Sequence, residues 1–146
     1  MSLDFKDKVA IVTGSGNGIG KGYALELAKR GAKVVVNDLG GTVDGSGGSL
    51  SAADAVVQEI ESVGGEAMAN GANVAKQEDV KAMVEATMEK WGRVDVLINN
   101  AGILRDKSFG KMEWSDFEAV INVHLLGSAL CAHSAVSYTH LRAHET

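Results

Sequence analysis

Apolar residues along this chain fall into two spacings. Short unbroken runs, Val9-Ala10-Ile11-Val12, Lys33-Val34-Val35-Val36-Asn37 and Val94-Asp95-Val96-Leu97-Ile98-Asn99, alternate with longer stretches where apolar positions recur every three or four residues. The first spacing suits strands covered on both faces of a parallel sheet, and the second the inner stripe of an amphipathic helix. The pattern predicts strands at about 8–13, 33–37 and 94–99, with a weaker one from Glu66 to Asn70. A first helix carries Ala24, Leu25, Leu27 and Ala28 and stops at Gly31, a C-terminal glycine signal. A second opens at Ser51-Ala52-Ala53-Asp54, which resembles a capping box, and runs to about Val63 with Val56, Val57, Ile60 and Val63 facing inward. A third spans about Glu78 to Trp91, its Val80, Met83, Val84, Thr87, Met88 and Trp91 read as core, and a fourth runs from about Ser115 into the 130s. The glycine-rich stretch 40–48 reads as a mobile loop.

The resulting order, βαβαβαβα, is that of an α/β fold: a doubly wound parallel sheet whose right-handed crossovers place helices on both faces. In such a Rossmann-type sheet, ligands bind beyond the carboxyl ends of the strands, where strand order reverses. Thr13, Asp38 and Asn99 stand at three such ends. Their convergence on one sheet edge makes that edge the candidate site.

Between the first strand and the first helix lies Thr13-Gly14-Ser15-Gly16-Asn17-Gly18-Ile19-Gly20. Glycines at 14, 18 and 20 remove the Cβ atoms that would block a tight turn and hold a pyrophosphate off the backbone, while the helix that follows aims unpaired N–H groups at the phosphates. Chance spacings are expected among 18 glycines in 146 residues, so the strand-turn-helix context carries the inference of a dinucleotide. Ser15 and Asn17 are expected to line the phosphate turn with their backbones. Asp38 ends the second strand 18 residues after Gly20, near the spacing of the carboxylate that binds the adenosine ribose. Such a carboxylate accepts from both ribose hydroxyls and repels a 2′-phosphate, and no Arg or Lys stands at 15–19 or 39 to offset that repulsion, which selects NAD.

Composition narrows the picture further. One domain fits this length, and 45% hydrophobic residues suffice for a core. A net charge of −5 without a basic cluster speaks against nucleic acid or an anionic membrane surface as partner. The lone Cys131 and the absence of an apolar signal core near Met1 point to a reducing, cytoplasmic setting. No stretch reads as a membrane span of roughly 18 apolar residues, so a soluble protein is expected.

Asn99-Asn100-Ala101-Gly102, taken with the glycine turn, gives the chain its likeness: it resembles the short-chain dehydrogenase/reductases over residues 4 to about 136. More narrowly, Val36-Asn37-Asp38-Leu39-Gly40-Gly41 and Gly102-Ile103-Leu104-Arg105-Asp106-Lys107-Ser108-Phe109 look like the dehydrogenase domain of multifunctional β-oxidation enzymes and their bacterial relatives. The resemblance implies oxidation of (3R)-hydroxyacyl-CoA thioesters with NAD, a homo-oligomeric parent and a possible peroxisomal address. It also implies a cofactor set of Thr13, Gly14, Ser15, Asn17, Gly18, Ile19, Gly20, Asp38, Leu39, Asn73, Val74, Asn99, Asn100, Ala101 and Gly102. In that set Asn73, where many members carry Asp, and Val74 would flank the adenine, and Asn100 would brace the strand ends.

The family's chemistry also needs a Ser, a Tyr and a Lys after a fifth strand, and an Asn on the long helix before it. His124, in His124-Leu125-Leu126-Gly127, fills that Asn position, and Asn122 does not match. A local hydrogen bond and a part in a proton relay are equally open to it. Tyr138 is followed four residues later by Arg142 rather than Lys, and Ser137, His140 and His144 form no usable triad, so none of these is assigned a role. Residues 137–146 depart from the family and read as a foreign or misread tail, which leaves 1–136 as the NAD-binding half of a fold cut after its fourth strand and following helix. The reading is therefore an NAD-dependent 3-hydroxyacyl-CoA dehydrogenase whose cofactor half this chain is, inactive alone. An NADPH-dependent 3-oxoacyl reductase and a non-catalytic dinucleotide-binding module are the alternatives.

Overall fold

The structure, a computed structural model, describes residues 3–40 and 51–144. Four parallel strands, β1 (Val9–Val12), β2 (Lys33–Asn37), β3 (Glu66–Asn70) and β4 (Val96–Ile98), form one sheet in the order β3-β2-β1-β4. The chain first winds outward from β1 through β2 to β3 and then returns to β1's other side, so strand order reverses beside β1. Side chains alternate across the sheet. Ala10, Val12, Val34 and Val36 pack under α1 (Gly18–Lys29) and α2 (Ala52–Ser62), while Ile11 and Val35 pack under α3 (Gln77–Trp91) and α5 (Gly127–His144). Burial on both faces is why β1 and β2 read as continuous apolar runs.

Most elements lie where the pattern predicts them. Ser51 caps α2, its hydroxyl accepting from the Asp54 N–H at 3.1 Å. Gly31 adopts φ 98° just after α1, and Gly92 at φ 76° closes α3. The core of α3 is as expected at Val80, Met83, Val84, Thr87 and Met88, which are buried, while Trp91, also expected in the core, is only partly buried at the end of the helix. The predicted loop over 41–48 lies outside the described residues.

Three expectations are corrected. Val63 is 82% exposed rather than core: α2 ends at Ser62, and Val63, its C-cap, turns outward. β4 is three residues long rather than six because Asp95 takes over its start, where the carboxylate accepts the Val9 N–H at 2.8 Å in place of a ladder bond. The long fourth helix is interrupted, with α4 (Trp114–Ile121) passing through a π-helical turn at Asn122–Leu126 before α5 begins. α5 crosses position 136 without a break.

The helical run Trp114–His140 is also, by length and apolarity, long enough to cross a bilayer, with 27 residues and a mean hydropathy of 1.5 in its most apolar window. The sequence reading missed it because Ser, Asn, His and Gly interrupt the apolar stretch, although the run carries only two charged residues, Asp116 and Glu118. In the fold this run packs against α3 and the sheet through Cys131 and Ala135.

Candidate functional site

The site is built at the carboxyl end of β1, where the chain must turn sharply into α1. Gly14 takes φ 63° and Gly18 φ 59°, a left-handed conformation that glycine adopts without strain. A Cβ on Gly14 would stand 2.8 Å from the Ala101 Cα, and one on Gly20 would collide with the Asn100 side chain and the Gly14 carbonyl. These glycines therefore let the turn, the start of α1 and the 99–102 segment touch backbone to backbone.

Polar side chains lock that contact. Thr13 is buried, and its hydroxyl accepts the Asn100 N–H at 3.1 Å and the Ala101 N–H at 3.0 Å. The Asn100 amide donates to the Thr13 carbonyl at 3.1 Å and the Gly14 carbonyl at 3.0 Å. Thr13 and Asn100 thus join the ends of β1 and β4 with their own hydrogen-bonding groups. Asn99 turns away, its amide donating to the Ser128 carbonyl of α5 at 3.3 Å.

Ser15 corrects an expectation. Its N–H donates to the Asn37 carbonyl at 2.8 Å and its hydroxyl to the Val12 carbonyl at 2.7 Å, so a fully buried Ser15 shapes the turn and has no free backbone donor for a phosphate. The exposed stretch is instead Asn17, Gly18 and Ile19, where α1 begins. Asn17 makes no side-chain cap there, so the first-turn N–H groups, which no helix can satisfy internally, face outward uncapped.

Asp38 lies across the turn from β2. One carboxylate oxygen accepts the Gly16 N–H at 3.1 Å and the other the Gly40 N–H at 2.9 Å, and a Cβ on Gly16 would meet that carboxylate at 2.5 Å. The residue is half-buried, which leaves lone pairs open to a ligand. Beside it a cleft of about 150 Å³ is lined by Gly14, Asp38, Leu39, Asn73, Val74, Ala101 and Gly102 among others. Leu39, 62% exposed, stands in its lining as uncovered apolar surface, and Ile19, at the start of α1, is 72% exposed. Asn73 is occupied locally: its side-chain Oδ1 accepts the Ala75 N–H at 2.9 Å, and its backbone N–H donates to the Asp79 carboxylate at 3.0 Å.

Asn37 is the residue the sequence reading passed over. Its side chain is buried and reaches three segments, with the amide donating to Asn70 Oδ1 at 3.2 Å and to the Ala72 carbonyl at 3.0 Å while its oxygen faces the Gly14 N–H at 3.4 Å. Asn70 Oδ1 also accepts the Ala72 N–H at 2.9 Å. A polar residue in the otherwise unbroken run Val34-Val35-Val36 was the available signal, since a buried amide must find partners.

His124 sits in the π turn, with Nε2 3.0 Å from both the nitrogen and the oxygen of Ile103. It touches Gly102 closely enough that a Cβ there would lie 2.7 Å from the ring. The geometry is a local hydrogen bond to the segment that ends the cleft. Tyr138 lies eleven residues along α5 from Gly127, about 16 Å at the helical rise, and bonds Glu85 of α3. That hydrogen bond pushes its phenol above the ordinary tyrosine value, the reverse of what a proton-accepting tyrosine needs. Burial likewise raises the Cys131 thiol to about 11, far from a reactive thiolate at neutral pH. Among the described residues no group of His, Cys, Asp and Glu could hold a metal ion.

Comparison with known proteins agrees with this architecture. A family model described as short chain dehydrogenase matches residues 8–144. Peroxisomal multifunctional enzyme A of Dictyostelium discoideum is 56% identical over 142 residues, which cover 97% of this chain and 31% of that protein. A short chain dehydrogenase from Mycobacterium avium superimposes with a TM-score of 0.86 at 45% identity, over 93% of this chain and 47% of that one. A 7α-hydroxysteroid dehydrogenase, solved with NADH and 7-oxo glycochenodeoxycholic acid, superimposes with a TM-score of 0.83 at 31% identity, over 95% of this chain and 51% of that one. The chain thus spans less than a third of the Dictyostelium relative and about half of each solved structure.

Proposed function

This chain belongs to the short chain dehydrogenase family, and from that premise we propose that it is the cofactor-binding half of an NAD-dependent dehydrogenase that oxidises a secondary alcohol, a 3-hydroxyacyl-CoA thioester. The observation that carries the cofactor assignment is the Asp38 carboxylate, fixed over the glycine turn by the Gly16 and Gly40 N–H groups. The resemblance of residues 36–41 and 102–109 to multifunctional β-oxidation enzymes supports the acyl-CoA substrate class, and the 56% identity to the Dictyostelium peroxisomal multifunctional enzyme A agrees with that resemblance.

The residues present fit a dinucleotide. The uncapped first turn of α1, with Gly18 open on its outer side, would receive the pyrophosphate. Asp38 would accept from the adenosine ribose hydroxyls, Asn73 and Val74 would flank the adenine, and Ile19 and Leu39 would lose their exposure beneath it. Ala101 and Gly102 would bring backbone close to the nicotinamide ribose. Thr13, Ser15, Asn99 and Asn100 would serve this set by holding strand ends and turn in place. When bound, the oxidised nicotinamide supplies the hydride acceptor. The Ser, Tyr and Lys of family chemistry have no match in this chain, so residues 1–136 are proposed to bind cofactor without turnover, and 137–146 to be a non-native tail.

Asp38 makes cofactor preference the decisive test. Unmutated chain should bind NADH more tightly than NADPH, because a 2′-phosphate would stand against a carboxylate whose lone pairs are already directed by backbone donors. Asp38→Ser should narrow that preference by roughly tenfold or more, on the order of one hydrogen bond to a charged group. Tighter NADPH binding by the unmutated chain, read by nicotinamide fluorescence, would refute the assignment and favour the 3-oxoacyl reductase reading.

A further inference from the structure

Asn37 carries the one polar side chain on the inner positions of β2, and its two ends act on opposite walls of the cleft. On one side its oxygen meets the Gly14 N–H at the glycine turn; on the other its amide holds the Ala72 carbonyl and Asn70 Oδ1, just before Asn73 and Val74. At 2% exposure neither end can exchange its partner for water. We propose that Asn37 is a positioning residue whose carboxamide sets the spacing between the glycine turn and segment 70–74, and so fits the cleft to the adenosine half of a dinucleotide. The inference rests on the dinucleotide reading above and extends it to a buried residue in the lining of the cleft whose polar atoms are committed to protein partners.

The chemistry demands an amide. An aspartate of the same shape keeps an acceptor for Gly14 but loses both donors, and sets an oxygen lone pair against the Ala72 carbonyl and Asn70 Oδ1. Segment 70–74 must then move away from β2, and the wall that would face the adenine moves with it. The ligand that reports this is ADP-ribose, which carries the adenosine and both phosphates without the nicotinamide.

The test measures ADP-ribose binding calorimetrically on the full 146-residue chain, with dissociation constant and stoichiometry read separately. Asn37→Asp should weaken binding by about tenfold at unchanged stoichiometry, since a buried donor pair is lost. Asn70→Ala, which removes from a half-buried position the Oδ1 that accepts both the Asn37 amide and the Ala72 N–H, should also weaken it and serves if the first variant does not fold. Thr87→Ala is the stability control: that buried hydroxyl donates to the Met83 carbonyl inside α3, on the far side of the sheet from the turn, and its loss should leave the constant unchanged. Unaltered affinity in both asparagine variants, a fall in stoichiometry alone, or an equal weakening in the threonine variant would each overturn the proposal. If the unmutated chain binds no ADP-ribose, the cofactor reading itself fails and this inference falls with it.

Discussion

At the scale of single residues, the glycines of α1 show that identical substitutions can have opposite signs. Gly22 is helical and nothing lies within 4 Å of where its Cβ would be, so Gly22→Ala gains helix propensity alone and should stabilise the chain by about 0.5–1 kcal/mol. Gly20, two residues earlier on the same helix, faces the Asn100 side chain and the Gly14 carbonyl, and Gly20→Ala should destabilise the chain by roughly 1–3 kcal/mol, as overpacking does. Urea denaturation of the two variants side by side checks the pair, and equal shifts would mean that the turn is not packed as described. The glycine motif marked this site in the sequence because φ and close approach restrict residue type. Ser15, Thr13 and Asn37 were less legible because their roles depend on partners brought from β2, β3 and β4. No local pattern could show that the Ser15 N–H is committed to the Asn37 carbonyl, or that Asn37 spans three segments.

At the scale of elements, boundaries written in local chemistry were readable and those set by tertiary hydrogen bonds were not. The Ser51 cap is of the first kind, and Ser51→Ala should cost about 1 kcal/mol in thermal or chemical unfolding by leaving the Asp54 N–H without its acceptor. The start of β4 is of the second kind, since Asp95 delays it by accepting the Val9 N–H. The π turn at 122–126 belongs there too, because Val123, Leu125 and Leu126 carry the apolar pattern straight through it. Asp95 also gives a pH prediction. The Arg93 guanidinium, bonded to it at 2.6 Å and 2.7 Å, together with the Val9 N–H, holds its carboxyl below the ordinary carboxylate value. The unfolded chain therefore takes up this proton first as acid is added, so the stabilisation is complete above the unfolded value of about 3.9 and is lost as pH falls through the lower folded value. Asp95→Asn should lower stability at neutral pH and flatten the decline below about pH 4. Urea midpoints from pH 3 to 7 measure both, and parallel curves for the two proteins would show that Asp95 does not titrate on folding.

At the scale of the whole molecule, the surface beyond β4 sets how the isolated chain behaves. β4 pairs only with β1, so within the described residues its outer edge offers unpaired N–H and C=O groups. A groove lined by Val96, Leu97, Ala135 and Val136, among others, runs along it beside α5. Phe109, in the turn before α4, is 82% exposed, Trp114, Leu125 and Leu126 on the helical run are 65%, 61% and 48% exposed, and Trp114 stacks on Phe117 at 4.8 Å between ring centroids without burying it. Exposed apolar surface next to a free strand edge is an association surface, and a net charge of −5 repels two copies only weakly at physiological salt. The chain alone should therefore self-associate, with a weight-average mass that rises over tens of micromolar in sedimentation velocity. Leu125→Lys and Val136→Lys act on the helix face and the groove respectively, at positions already open to water, so each should lower association while leaving the unfolding midpoint nearly unchanged. If only Leu125→Lys lowers it, the helical face drives association; if only Val136→Lys does, the β4 groove dominates. A chain that stays monomeric throughout that range would show that these uncovered apolar groups do not find one another.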